Sequence, residues 1–81
     1  MMNYIKKETL SDYLSSIVGK KLFKEDQNEL KNKFKEVGLK DRTMGINTLN
    51  GKLMDMALDY KIISKRVKEK GELYTVWIVT C

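Results

Sequence analysis

Histidine and proline are absent from this 81-residue chain, cysteine occurs once, at Cys81, and arginine only at Arg42 and Arg66. Each shortage removes a class of chemistry. Without imidazole there is no histidine general base and no His/Cys zinc site, and a single thiol closes no internal disulfide. Lysine carries the rest of the positive charge, which leaves few side chains for the bidentate reading of guanine or phosphate that arginine performs best. No stretch approaches the ~18–20 consecutive apolar residues of a membrane-spanning helix. Met1 and Met2 lead into Asn3-Tyr4-Ile5-Lys6-Lys7, with no long apolar run and no small-residue cleavage site, so secretion through a signal peptide is not expected and the reducing cytoplasm is the expected compartment. A Gly-rich phosphate loop, a nucleophile elbow and a metal-spaced cluster are missing as well. The carboxylates of Asp55 and Asp59, four apart on an expected helix, come nearest to a cation site. No enzyme and no cofactor are expected.

What remains is 42% apolar, 33% charged and carries a net charge of +5. A chain of this length holds one small domain, 1–81, burying roughly 60% of the surface its unfolded form exposes. The charge is unevenly spread. Residues 20–42 and residues 61–72 each sum to +3, whereas residues 43–60 sum to −1.

Apolar periodicity divides the chain. Leu10, Tyr13, Leu14, Ile17 and Val18 lie on one face of a helix over 9–18, with Thr9 and Asp12 as a capping pair and Gly19 as its stop. Leu22 and Phe23 are expected to dip into the core from a lysine-rich connector. A second helix is expected to begin at Asp26, with Glu29 in its first turn, and to bury Leu30, Phe34 and Val37 before Gly38 ends it. Its Lys31, Lys33 and Lys35 read as a solvated face, with phosphate contact as the lesser alternative. Residues 40–46 read as a loop. Asn47 or Thr48 is then expected to cap a third helix whose buried stripe is Ile46, Leu49, Leu53, Met56 and Tyr60, with Gly51 marking either a close backbone approach or a simple local cost.

After Asp59 the period changes to that of strands. Residues 61–68 and 72–80 are rich in β-branched and aromatic residues and flank a turn at Glu69-Lys70-Gly71. Tyr74, Val76 and Ile78 alternate with Leu73, Thr75, Trp77 and Val79, so the second strand is apolar on both faces. It is expected to be the more buried strand or to be covered by another chain through an open edge. The fold class expected is α+β, a three-helix bundle followed by a C-terminal β-hairpin.

The order of elements, and within it the stretch from Asn47 to Trp77, resembles a winged-helix domain, the variant of helix-turn-helix in which the third helix is presented to nucleic acid and the hairpin is the wing. The match covers nearly the whole chain in topology and pattern, without a signature motif. Its weak point is the short strand that many such domains place between the first two helices, for which only Leu22-Phe23 or Thr43-Met44 is available. The resemblance implies DNA as partner, single- or double-stranded. It places Asn47, Thr48, Asn50, Lys52 and Asp55 on the outer side of the third helix and Lys61, Lys65, Arg66, Lys68 and Lys70 in the wing. Because the third helix leans acidic, a backbone-led mode is expected, with the wing and the second-helix region meeting phosphate. This suits an accessory protein of a phage or mobile element, supporting replication. The alternatives are an inhibitor or adaptor of a larger DNA-processing enzyme, and a repressor, which would require a homodimer. Trp77, Tyr74 and Tyr60 are candidates for stacking on unpaired bases, with core packing the stronger expectation for Trp77. Met44, Met54 and Met56 read as packing residues, Met54 lying off the stripe and open to a protein interface.

Overall fold

In a computed structural model, which describes residues 9–40 and 44–81, three helices precede one antiparallel hairpin: α1 (Leu10–Ile17), α2 (Lys24–Glu36), α3 (Ile46–Asp55), β1 (Lys61–Glu69) and β2 (Glu72–Thr80). The expected α+β order is therefore the one observed. Residues 1–8 and 41–43 lie outside this description, and with them Arg42, Thr43 and part of the expected 40–46 loop.

The first helix opens as its sequence dictates. Thr9 is the N-cap, and its Oγ1 accepts a 3.1 Å hydrogen bond from the Asp12 amide, satisfying one of the donors that a helix start leaves orphaned. Leu10, Tyr13, Leu14 and Ile17 are buried. Val18 does not extend the helix: it is the C-cap, extended and exposed. Gly19 follows at φ +84° and turns the chain so that its amide donates to the Val79 carbonyl at 3.0 Å.

Helix α2 begins at Lys24, two residues before Asp26. Its N-cap is Phe23, which has no side-chain oxygen to offer, so Asp26 sits inside the first turn and acts there through its charge on the positive helix end. The start is fixed from outside the helix. Gln27 Nε2 donates to the Leu22 carbonyl at 2.8 Å and to the Thr75 carbonyl at 3.2 Å. Leu22 is buried and exchanges backbone hydrogen bonds with Trp77 at 2.8 and 3.1 Å, a single-residue bridge flanking β2. Phe23 departs from expectation: it is half-buried and meets Tyr74 edge-on, with centroids 5.7 Å apart, on the opposite face of the hairpin from the core.

Helices α2 and α3 end alike. The Gly38 and Leu39 amides bond to the Lys35 and Phe34 carbonyls, and the Ala57 and Leu58 amides to the Met54 and Leu53 carbonyls, the paired closure that needs a left-handed residue just past the helix. Gly38 supplies it without strain at φ +97°, whereas Ala57 is forced to φ +58°. A left-handed L-residue costs about 1–2 kcal/mol, partly offset by the greater freedom glycine has when unfolded. Ala57→Gly is therefore expected to stabilise the chain by about 0.5–1 kcal/mol, raising Tm by a few degrees in a thermal melt.

The start of α3 also differs from the reading by caps. Gly45 is the N-cap and makes no side-chain bond, and Asn47 and Thr48 stand within the first turn. Leu49 and Leu53 are fully buried, with Ile46 and Met56 half-buried beside them. The helix ends at Asp55, so Tyr60 reaches the core from the segment that leads into β1. Asp59 likewise lies off the helix, and the Asp55/Asp59 pair is not formed on one helical face.

The hairpin pairs Lys61 with Thr80 through Glu69 with Glu72. Glu69 belongs to the strand, so the turn has two residues, Lys70 and Gly71, both at positive φ, as a tight turn matching strand twist requires. Ile62, Trp77 and Val79 pack with Leu14, Leu22, Leu30, Phe34, Leu49 and Leu53 in one core. Burial on β2 covers its basal part, Val76, Trp77 and Val79, with Leu73 and Tyr74 exposed, whereas on β1 Ile62 alone is buried, so β2 is the more buried strand, as expected. Among the described residues, no helix is long and apolar enough to cross a membrane.

Candidate nucleic-acid interface

The hairpin register sorts its side chains by parity. Ile62, Ser64, Arg66 and Lys68 share a face with Val79, Trp77, Thr75 and Leu73; Lys61, Ile63, Lys65, Val67 and Glu69 share the other with Thr80, Ile78, Val76, Tyr74 and Glu72. Lys61, Lys65, Arg66, Lys68 and Lys70 are all exposed. The two carboxylates of the hairpin fall on one face only. There Glu72 accepts a 2.8 Å hydrogen bond from the Tyr74 hydroxyl. That bond, with some desolvation and the nearby Glu69 carboxylate, raises the phenol above its ordinary pKa. The core-side face carries Arg66 and Lys68, no acid of its own, and Leu73, 64% exposed.

Helix α2 extends this second face. At about 100° per residue, Lys24, Asn28, Lys31 and Lys35 fall on one flank, Glu25, Glu29 and Glu36 on the side away from the buried Leu30 and Phe34, and Lys33 on the remaining flank. Contacts fix the orientation. Lys31 Nζ stands 5.5 Å from the Trp77 ring centroid and Lys33 Nζ 5.3 Å from that of Tyr13, so the Lys31 flank borders the hairpin and the Lys33 flank borders α1. The reading of these two lysines as a solvated face is corrected: both are half-buried, laying their stems along aromatic rings with the charged ends over them. The segregation was legible at helical period in residues 24–36 and was missed because the lysines were counted as one group.

The candidates on α3 fare differently. Asn47 and Thr48 are exposed and Lys52 is half-exposed, but the Asn50 amide is already engaged. Its Nδ2 donates to the Ile62 carbonyl at 2.9 Å, and its Oδ1 accepts from the Ile62 amide at 2.8 Å, so the side chain stands in for a neighbouring strand and holds α3 to β1. Asn50→Ala is expected to cost about 1–3 kcal/mol, because both Ile62 groups lose their partner in a part-buried place. A denaturant titration followed by Trp77 fluorescence measures it, and oligonucleotide affinity of the folded variant should stay unchanged.

The open strand edge also lies elsewhere than expected. Gly19, Leu22 and Gln27 occupy the outer edge of β2, whereas among the described residues only Ile62 is covered on β1 and no backbone group pairs with the outward groups of Ser64, Arg66 and Lys68. Of the stacking candidates, Trp77 is buried in the core and Tyr60 is half-buried with its hydroxyl bonded to Ser15. Tyr74 alone is exposed. Met44 is buried and Met56 packs against the core, but Met54 is 80% exposed. Among the described residues, nothing lies within 4 Å of where a Gly51 Cβ would be, so no close approach of theirs explains that glycine. Among the described residues there is no group of three or more potential metal ligands. Comparisons with protein-family models, with curated proteins and with solved structures gave no match.

Proposed function

We propose that this protein is a nucleic-acid-binding module of winged-helix type that grips the phosphate backbone through its basic hairpin and the neighbouring α2 region, an accessory protein suited to phage or mobile-element replication. The observation that carries this reading is the hairpin itself: it holds five exposed cations against two carboxylates. The bridge of Leu22 to Trp77 supports the winged-helix part, since it stands where a short strand between the first two helices would pair with the hairpin. With Asn50 committed to Ile62, little on α3 remains to read base edges, which favours low sequence specificity. Fluorescence anisotropy with a labelled single strand and the matching duplex, at low and moderate salt, tests it. Binding that weakens steeply with salt is expected, and absence of binding to both at low salt overturns the reading.

A second reading has one observation in its favour, the uncovered edge of β1, to which an extended segment of a larger DNA-processing protein could add as a strand. Flanking Lys65, Arg66 and Lys68 would select an acidic segment and disfavour self-pairing of two β1 edges.

A further inference from the structure

The hairpin has two chemically unequal faces, and only one of them is continuous with a lysine-bearing flank of a helix. Given the nucleic-acid reading above, on which this inference rests, we infer that the phosphodiester backbone is bound on a single face, formed by Lys24 and Lys31 of α2 and by Arg66 and Lys68 of β1, that runs outward from the level of Trp77. Lys31 stands over the Trp77 ring. The Gln27 bond to Thr75 keeps α2 beside the next level of the hairpin, where Arg66 pairs with Thr75. Lys68 lies one level further out, and successive levels on one strand face are about 7 Å apart. Cations therefore follow one another along this face with no hairpin carboxylate among them, and the glutamates of α2 point to its far side. Lys61 and Lys65 belong to the other face, which they share with Glu69 and Glu72. A phosphate backbone running along that face to the tip of the hairpin would meet these two carboxylates as like charge. The Asn47 and Thr48 surface of α3 is not part of the site.

Two double variants with the same change in net charge separate the faces: Arg66→Ala with Lys68→Ala, and Lys61→Ala with Lys65→Ala. All four residues are exposed, and circular dichroism checks that each variant keeps its fold. The probes are the labelled single strand and duplex used above. The Arg66/Lys68 variant is expected to lose about tenfold in affinity for each missing cation near 0.1 M salt, with the slope of log K against log salt on duplex falling by about 2. The Lys61/Lys65 variant should stay within about threefold of the parent chain. Trp77, the only tryptophan, should change its emission on binding. In Lys31→Gln affinity should fall about tenfold, at unchanged hairpin charge. Equal losses in the two double variants, or a greater loss in Lys61/Lys65, would overturn the single-face assignment while leaving nucleic-acid binding in place. Absence of binding by the parent chain would instead remove the reading beneath it.

Discussion

Replacing Lys65, Arg66, Lys68 and Lys70 together by alanine is expected to lower affinity for single-stranded and duplex DNA by at least about a hundredfold near 0.1 M salt and to lower the slope of log K against log salt on duplex by at least about 2. Each lysine or arginine on a phosphate displaces condensed counterions, so the loss is read twice, in the binding constant and in its slope. All four side chains are exposed and project beyond the core, and among the described residues none of them is held in an ion pair. Their removal should leave the melting curve near that of the parent chain, which separates lost binding from lost structure. Anisotropy titrations at several salt concentrations make the measurement. A biological activity that survives this change would tell against nucleic-acid contact as the main role.

The largest expected effect on stability comes from Phe34→Ala. Phe34 is fully buried among residues from all three helices and both strands, and truncating such a ring costs about 3–5 kcal/mol through lost burial and the cavity left behind. A chain of this length has about 4–12 kcal/mol in total. The variant should therefore be partly or wholly unfolded at 37 °C, with Trp77 emission moved towards that of a water-exposed indole. Phe34→Leu, which refills most of the space, should cost only a fraction of this. If Phe34→Ala melted within a few degrees of the parent chain, the single core described above would be wrong.

Much of the fold was legible because period and punctuation agreed with packing. The stripe Leu10, Tyr13, Leu14 and Ile17, the stops at Gly19 and Gly38, and the change to strand period after Asp59 are local signals that tertiary contacts reinforce. The starts of α2 and α3 were illegible for a physical reason. Phe23 and Gly45 cap without a side-chain oxygen, and α2 is held in place by Gln27 reaching Leu22 and Thr75, the latter 48 residues away in sequence. Ala57 in the left-handed region was equally hidden, since alanine reads as a helix former. At the site, the basic hairpin could be read from charge by segment. The commitment of Asn50 could not, because a surface amide on α3 looks the same whether it faces a base or a strand edge. The division of hairpin charge between two faces was implicit in the alternation of residues 61–80 but needed the register to become definite.

The bridge between Leu22 and Trp77 has a temporal consequence. During synthesis the helices emerge from the ribosome long before the hairpin that closes their core, and Leu22 must wait for a partner 55 positions later. Contacts of such separation are slow to form and leave apolar surface open meanwhile. The nascent chain should therefore remain without its native core until residues 77–79 are free of the ribosome. A ribosome-stalled series lengthened residue by residue should gain protease resistance in one step at that point.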